Sequence, residues 1–261
     1  MTSAIEAIAA GKSHATVGAD GLAYSSGHAR ALAAREDVTA LVEIQALYFN
    51  ALKVMEEIAA HFRDDTSARR FHAAAKGVHR AYNKLMWDAY NHVPVDSYSE
   101  KGMDRTPRPM ALLTVSLSHP ILVRRRWELL VDQLESALMT PLGLLAMPQD
   151  APGSRQYFDG DTAEHAPKSG GIWPQFLGAF LAAHAKTFGT ESSTHNERFF
   201  EYLKPLADQL CQGMLNHVPE FFDSGEPYRE RGAPADAAAS GQLIWALTAK
   251  VVPRYYEPDA Q

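Results

Sequence analysis

The stretch VTALVEIQALYFNALKVMEEIAAHF, residues 38–62, decides the fold class. Its apolar residues recur at three- and four-residue spacing, which is typical of an amphipathic α-helix. The turn-forming sequence DDTS at 64–67 then offers side chains that can cap a following helix. We therefore predict one helix over 36–62 and a second over about 67–88.

Helical periodicity continues along most of the chain. We predict a short helix over 3–10 and further helices over about 109–117, 121–139, 173–188, 194–217 and 234–250. Strand-like alternation is scarce, and LLTVSLS at 112–118 is its best example. The section 140–172 carries several glycines and prolines and is predicted to be irregular. A loop of this length in a compact domain usually has a function.

These patterns predict one all-α domain over residues 1–261, with about seven or eight helices joined by long loops. Antiparallel helix pairs with long loops at one end describe an α/α toroid. They equally describe an irregular helical bundle, so the periodicity alone leaves two architectures open.

The net charge of the chain argues against polyanionic partners. With a formal net charge of −6 and a pI of about 6.0, the sequence offers no electrostatic footprint for nucleic acid or for an anionic membrane. No apolar run is long enough to span a membrane, and the N-terminus lacks the pattern of a signal peptide. We therefore expect a soluble cytoplasmic protein.

A single cysteine, Cys211, limits the covalent and metal chemistry. It excludes a disulfide within the chain and argues against a thiolate metal site. Cys211 lies in the apolar pattern LADQLCQGML, which predicts a core position. We expect neither a metal ion nor a cofactor.

Acidic residues are concentrated near the C-terminus in VPEFFDSGEPYRERG, residues 218–232. The two prolines of this stretch exclude a continuous helix. A loop of such charge is either a solvated surface turn or the rim of a site with a working carboxylate. Its own residues leave both interpretations open.

Five segments together resemble a known family. In chain order they are VEIQALYFNALKVM (42–55), RPMALLTVSLSHPIL (108–122), LMTPLGLLAM (138–147), GGIWPQFLGAFLAAHAK (170–186) and PEFFDSGEPYRERG (219–232). Their order and spacing resemble the C-terminal amylo-α-1,6-glucosidase domain of glycogen debranching enzymes. The stretch ADGLAY at 19–24 resembles the segment that precedes the acid loop of that family, so the resemblance runs from about residue 4 to residue 250.

The resemblance implies an (α/α)6 barrel, the six-hairpin glycosidase fold, with two concentric rings of helices. It also implies an inverting glycosidase, which uses a carboxylic acid and a carboxylate base on opposite sides of the scissile bond. The implied ligand is an α-glucan or a small glucoside.

The base of the family is the glutamate of a Pro-Glu-hydrophobic-hydrophobic-Asp segment at the end of a late helix. The residue of this chain at that position is Glu220. Beside Phe221 and Phe222, its carboxylate would be partly desolvated and therefore basic enough to activate water.

The general acid of the family has no counterpart in this chain. The family places an aspartate in a Trp-Met-Asp-Ala-like stretch, whereas the matching interval, 25–37, reads SSGHARALAARED. Its nearest ionisable residues are His28, Arg30 and Arg35, and Asp37 lies too close to the next helix. His28 could protonate a leaving group, although a loop histidine is the plainer interpretation.

Other residues are candidates for substrate contact. Glu43 and Gln45, at the start of a long helix, are placed to bond sugar hydroxyls, and Trp173 offers a stacking face for a pyranose ring. Lys168 stands in the Lys-Ser-Gly stretch that replaces the His-Gln-Gly of the family. Arg229 falls in the region that matches a His-Arg-Pro-Arg-Gly stretch.

The charged residues of the acidic loop have a structural alternative. Arg229 and Arg231 are expected to pair with Glu226 or Glu230 and hold the loop, and Asp223 is expected to form a turn. Since polar family residues are replaced more often than packing residues, the scaffold is retained while the site is rebuilt or abandoned.

Three functions remain open on this basis. The first is a glycoside hydrolase of the amylo-α-1,6-glucosidase type with Glu220 as its base. The second is a catalytically impaired, carbohydrate-binding or structural subunit on the same scaffold. The third is an unrelated helical interaction module.

The number of predicted helices is too small for a complete barrel. We expect that the N-terminal half of the family's barrel is absent, which would expose the apolar flanks of inner helices. The chain would then pair with itself or with a partner subunit to complete the barrel, close as a smaller helical domain, or form the C-terminal piece of a larger polypeptide.

Overall fold

A computed structural model describes residues 15–25, 39–158, 169–189, 193–211 and 216–250. The predicted helix over 3–10 and residues 26–37 of the acid-loop interval lie outside these ranges, and so does Lys168. His28, Arg30, Arg35 and Asp37 are therefore not placed.

Helices dominate the described residues. They are α1 Val42–His61, α2 Asp65–Leu85, α3 Leu113–Ser116, α4 Trp127–Leu138, α5 Gln175–Phe188, α6 Ser193–Leu210 and α7 Ala237–Lys250. Two 3-10 turns, Pro109–Leu112 and Arg124–Arg126, lead into α3 and α4. The seven longer helices predicted from periodicity are thus confirmed. The helix α6 ends earlier than expected, and the strand-like stretch LLTVSLS contains the α-helix Leu113–Ser116 and no strand.

Short strands connect the helices. They are β1 Ala15–Val17, β2 Ala23–Ser25, β3 Ala40–Leu41, β4 Trp87–Asp88, β5 Val93–Pro94, β6 Ser97–Ser99, β7 Gly102–Asp104, β8 Met139–Thr140, β9 Gly143–Leu145, β10 Ile172–Trp173, β11 Phe221–Phe222 and β12 Glu230–Arg231. These strands pair in antiparallel orientation, and the sheet with the most strands has the order β12-β11-β10-β9-β8. Strands of two or three residues are too short for alternation to reveal them.

The chain divides into two compact units. The first unit comprises Met1–Thr106 and Leu113–Leu130, and the second comprises Pro107–Leu112 and Val131–Gln261. The expectation of a single domain over 1–261 stays a prediction.

The core of the first unit lies between α1 and α2. Leu52 and Met55 of α1 are buried with Phe71 and Val78 of α2. Burial at these positions follows the three- and four-residue spacing from which the helices were predicted.

Two asparagines tie the segment 119–123 to the helix pair in the first unit. Asn50 of α1 donates to the carbonyl of His119 at 2.8 Å and accepts its N–H at 2.9 Å. Asn83 of α2 likewise donates to Ile121 and accepts from Val123, at 2.8 and 3.0 Å. The two side-chain amides therefore satisfy backbone N–H and C=O groups of a segment that has no regular secondary structure of its own.

The second unit is built on α5, whose residues are almost all buried. Gly178 of α5 faces the backbone of α7 so closely that a Cβ would collide with the carbonyl oxygen of Gln242. In the same unit Cys211 is exposed, which corrects the predicted core position. The reason is that α6 ends at Leu210, so Cys211 lies outside the helix.

No helix in the described part of the chain combines the length and apolarity needed to cross a membrane.

A buried carboxylate closes the β4–β5 turn of the first unit. Asp88 accepts the N–H groups of Tyr90 and Asn91 at 2.9 and 3.3 Å, and it lies 3.2 Å from Nε of Arg105. Burial alone would raise the pKa of Asp88, but these hydrogen bonds and the positive charge of Arg105 lower it.

The lowered pKa predicts a pH-dependent contribution to stability. The ionised Asp88 stabilises the fold above the pKa of an unfolded aspartate, and this contribution is lost as pH falls through the lowered folded-state value. We expect Asp88→Asn to reduce the free energy of unfolding by about 1–3 kcal/mol at neutral pH and by less in acid. Urea denaturation between about pH 3 and pH 7 measures this, with the exposed Asp150→Asn as control. A difference that does not shrink in acid would contradict the assignment.

Candidate functional site around Glu220

Glu220 is half-buried and lies directly before strand β11, which pairs with β12 and β10 in the five-stranded sheet. The prediction that it ends a late helix is wrong within the described ranges, because α6 stops at Leu210 and residues 217–219 are irregular. Strand pairing between β11 and β12 sets its position instead, with Phe221 opposite Arg231.

A glycine bulge holds Glu220 in place. The N–H of Glu220 donates to the carbonyl of Ala233 at 3.0 Å, and the N–H of Ala233 donates to Oε2 of Glu220 at 2.9 Å. Two residues, Gly232 and Ala233, therefore face the single residue Glu220. Gly232 has a φ of 71°, the left-handed conformation that a bulge of this kind requires.

The carboxylate occupies the space that a side chain at residue 232 would need. A Cβ on Gly232 would collide with Oε2 of Glu220 and would lie 2.9 Å from its Cβ. The glycine is thus required both for the backbone conformation and for the close approach of the carboxylate.

The two oxygens of Glu220 have different surroundings. Oε2 is held by the Ala233 N–H, whereas Oε1 makes no hydrogen bond to any residue of the described ranges. A carboxylate fixed through one oxygen can accept a proton from water with the other, which is the geometry that a general base needs.

An ion pair between Asp223 and Arg231 closes the loop behind Glu220. Nε and Nη2 of Arg231 donate to the carboxylate of Asp223 at 3.1 and 2.7 Å, and the aspartate is fully buried. The prediction that Arg231 pairs with Glu226 or Glu230 is therefore wrong. Pairing with Asp223 prevails because its carboxylate is desolvated and needs a counter-charge.

Asp223 also joins a third segment to the loop. Its Oδ1 accepts the N–H of Phe158 at 3.1 Å, and its own N–H donates to the carbonyl of Arg229 at 2.9 Å. The side chain therefore connects 158, 223 and 231 through hydrogen bonds. Sequence reasoning assigned it only the role of a turn former, since nothing in the local pattern marks it as buried.

Trp173 is a core residue. Its ring stacks on Phe221 with centroids 4.9 Å apart and an interplanar angle of 15°, and only 3% of the residue is exposed. Phe158 meets the same Phe221 ring edge-on at 5.6 Å. This packing gives Trp173 a structural role in place of the predicted stacking face for a sugar, because the ring is enclosed by protein.

The two candidates of the first unit are buried at the start of α1. Glu43 is 5% exposed and lies in the first helical turn. Gln45 is fully buried; its Oε1 accepts the N–H of Ala23 at 2.9 Å, and its Nε2 donates to Ala23 and Leu41. The amide of Gln45 thus serves the fold, and this geometry does not support the predicted contact with sugar hydroxyls.

Arg229 is exposed on the loop between β11 and β12. Tyr157 packs on the same loop, where a Cβ on Gly225 would lie 2.5 Å from its hydroxyl oxygen. Sequence reasoning missed Tyr157, which lies in a segment without periodicity.

Within the described residues, no group of three histidine, cysteine, aspartate or glutamate side chains is arranged to hold a metal ion.

Solved structures share this fold. A sialidase matches with a TM-score of 0.69 and 14% identity, over 87% of this chain and 21% of its own. Neutral trehalase Nth1 from Saccharomyces cerevisiae matches with a TM-score of 0.61 and 14% identity, over 80% of this chain and 38% of the trehalase. GH63 mannosylglycerate hydrolase from Thermus thermophilus, in complex with glucose, matches with a TM-score of 0.55 and 13% identity. This match covers 80% of this chain and 45% of the hydrolase. The chain therefore spans less than half the length of each.

The trehalase and the GH63 hydrolase are six-hairpin glycosidases, so the fold is all-α and of the (α/α)6 toroid class. The sequence pattern of the amylo-alpha-1,6-glucosidase family matches residues 30–245, and the chain belongs to that family. It is therefore a glycoside hydrolase-like domain. No curated protein matches the sequence.

Crowding at Gly232 predicts a stability difference between two glycines. Gly232 and Gly153 both have positive φ, at 71° and 83°, but a Cβ on Gly153 would meet nothing within 4 Å. We expect Gly232→Ala to cost about 1–3 kcal/mol more than Gly153→Ala, because only the former crowds Glu220. Urea denaturation of both variants measures the difference. Equal costs would show that Glu220 is not packed on Gly232.

The buried ion pair predicts a second difference. We expect Asp223→Asn to reduce the free energy of unfolding by about 3 kcal/mol, because it removes the buried negative charge that faces the Arg231 guanidinium. Asp208→Asn breaks the exposed pair with Lys204 and should cost less than about 1 kcal/mol. Thermal and urea denaturation compare the two variants. Similar small losses would contradict the desolvated pairing of Asp223.

Proposed function

We propose that this chain acts on or binds an α-glucan or a small α-glucoside, with Glu220 as the general base of an inverting hydrolysis. The observation that carries the proposal is the bulge at Gly232 and Ala233, which fixes Oε2 of Glu220. Oε1 has no hydrogen-bond partner within the described ranges, which suits the removal of a proton from water. Membership of the amylo-alpha-1,6-glucosidase family supports the substrate class.

In an inverting reaction, water attacks the anomeric carbon while the base takes one of its protons. The glycosidic bond breaks on the opposite face of the sugar, and the leaving oxygen receives a proton from a general acid. Glu220 would perform the first proton transfer. Because its carboxylate is already oriented by the Ala233 N–H, little reorganisation is needed when substrate binds.

The proposed mechanism lacks an identified general acid. The interval 25–37 lacks the aspartate motif of the family. A general acid contributes roughly 10²–10⁴-fold to the rate, so we expect slow hydrolysis of unactivated α-1,6-glucosides such as isomaltose. An activated substrate whose leaving group needs no proton, such as α-glucosyl fluoride, would be turned over faster.

The missing acid motif also favours a second function. In this alternative the chain is a catalytically impaired carbohydrate-binding or structural subunit on the same scaffold. A homo-oligomer or a partner subunit that completes the barrel belongs to the proposal, and so does a cytoplasmic location. Exposed apolar residues on α1 support the oligomer, since Leu47 and Ile58 are 48% and 40% exposed and Phe62 follows at 76%.

The test compares two glutamates of one loop in the hydrolysis of α-glucosyl fluoride by the full chain. We expect Glu220→Gln to lose about 10²–10⁴-fold in kcat/KM, since it removes the base. Glu226→Gln removes an exposed carboxylate and should leave the rate unchanged. The anomer formed first, followed by NMR, should be β-glucose if the reaction inverts.

Other outcomes decide between the two functions. Equal rates for the wild type and Glu220→Gln would exclude Glu220 as the base. Rapid turnover of isomaltose would contradict an impaired acid. If the wild type turns over neither substrate but calorimetry detects glucan binding, the binding subunit is the correct function.

A further inference from the structure

A cleft of about 690 Å³ opens in the first unit between the turns of two hairpins. One wall is the turn at 18–22, which joins β1 and β2, and the other is the Glu100–Lys101 turn between β6 and β7. None of its lining residues belongs to the Glu220 loop or was singled out as a substrate contact. Its volume lies within the range of about 300–1,000 Å³ that small-molecule sites occupy.

The wall at 18–22 is held rigidly by its own backbone. Gly18 donates to the carbonyl of Leu22 at 2.9 Å, and Gly21 donates to the carbonyl of Gly18 at 2.9 Å. The N–H of Leu22 donates to Oδ1 of Asp20 at 3.0 Å. The carboxylate of Asp20 therefore has a fixed orientation at the cleft before any ligand arrives.

Asp20 forms a pair with Tyr24 on this wall. The Tyr24 hydroxyl donates to Oδ2 of Asp20 at 2.6 Å. Burial raises the pKa of Tyr24, and the hydrogen bond to Asp20 raises it further, so the hydroxyl stays a donor. A Cβ on Gly18 would lie 2.7 Å from Oδ1 of Asp20 and 2.8 Å from Cε2 of Tyr24, so the pair depends on a glycine at 18.

The wall opposite Asp20 carries one positive charge, on Lys101, and one negative charge, on Glu100. Lys101 and Glu100 are both exposed at the β6–β7 turn, and Ser99 and Thr16 add hydroxyl groups to the lining. A phosphate-bearing ligand would meet two carboxylates here, and a cationic ligand would meet the ammonium of Lys101. A neutral ligand with many hydroxyls satisfies both walls, since a hydroxyl donates to Asp20 and accepts from Lys101.

We propose that this cleft is a binding site for a neutral sugar ring, with Asp20 and Lys101 bonding its hydroxyls and Tyr24 providing the apolar wall. Charge-assisted hydrogen bonds to a fixed carboxylate give such a site its orientation. The choice of a glucosyl ring as the ligand rests on the proposed function. The cleft itself needs no contribution from Glu220.

The experiment is a titration of the ¹⁵N-labelled full chain with maltotriose and with isomaltose, followed by amide chemical shifts. The amides of Leu22 and Lys101 report on the cleft, and the amide of Ala233 reports on Glu220. We expect saturable shifts at Leu22 and Lys101. Asp20→Asn and Lys101→Ala should each raise the Kd about tenfold, because each removes a charge-assisted hydrogen bond.

Matched controls separate this site from other effects. Lys76→Ala removes an exposed lysine of α2 outside the cleft and should leave the Kd unchanged. Inorganic phosphate and methylammonium at equal concentration should not shift the two amides. A shift caused by either ion, or an unchanged Kd in both cleft variants, would overturn the proposal.

The two proposals fail in different ways. Shifts at Ala233 without shifts at Leu22 and Lys101, up to about 10 mM sugar, would exclude the cleft and leave Glu220 as the sugar site. Shifts at Leu22 and Lys101 in the Glu220→Gln variant, with the wild-type Kd, would establish the cleft even if Glu220 proves inactive.

Discussion

The close approach of the Glu220 carboxylate to Gly232 is the constraint on which the candidate site depends. Because residue 232 has no side chain and adopts φ of 71°, the strand can bulge and place two backbone residues opposite one. That bulge lets a backbone N–H hold one carboxylate oxygen. A side chain at 232 would collide with the Glu220 carboxylate and displace it from the Ala233 N–H.

The ion pair behind the bulge explains how so short a sheet keeps its shape. A buried carboxylate costs free energy unless it is paired and hydrogen-bonded, and Asp223 meets both conditions through Arg231 and the Phe158 N–H. The stacked rings of Trp173 and Phe221 add apolar packing between β10 and β11. These side-chain contacts thus stabilise strands of two residues, which form too few backbone hydrogen bonds to be stable on their own.

The fold class could be predicted from the sequence because helices leave a repeating signal over many residues. The strands could not, since β10 and β11 contain two residues each and are separated in the sequence by both α5 and α6. Glu220 was found through a resemblance to family motifs, not through any local pattern. The burial of Trp173 and Gln45 could not be predicted, because polarity and aromatic character do not reveal burial, which depends on contacts made far along the chain.

The contact between Gly178 and the backbone of Gln242 has a consequence for how this protein can vary. Where two helices touch through main-chain atoms, their spacing does not depend on which side chain occupies the facing position. The exposed side chain of Gln242 can therefore be shortened to alanine without loss of this main-chain contact. Any side chain at residue 178 would collide with the α7 backbone and displace that helix.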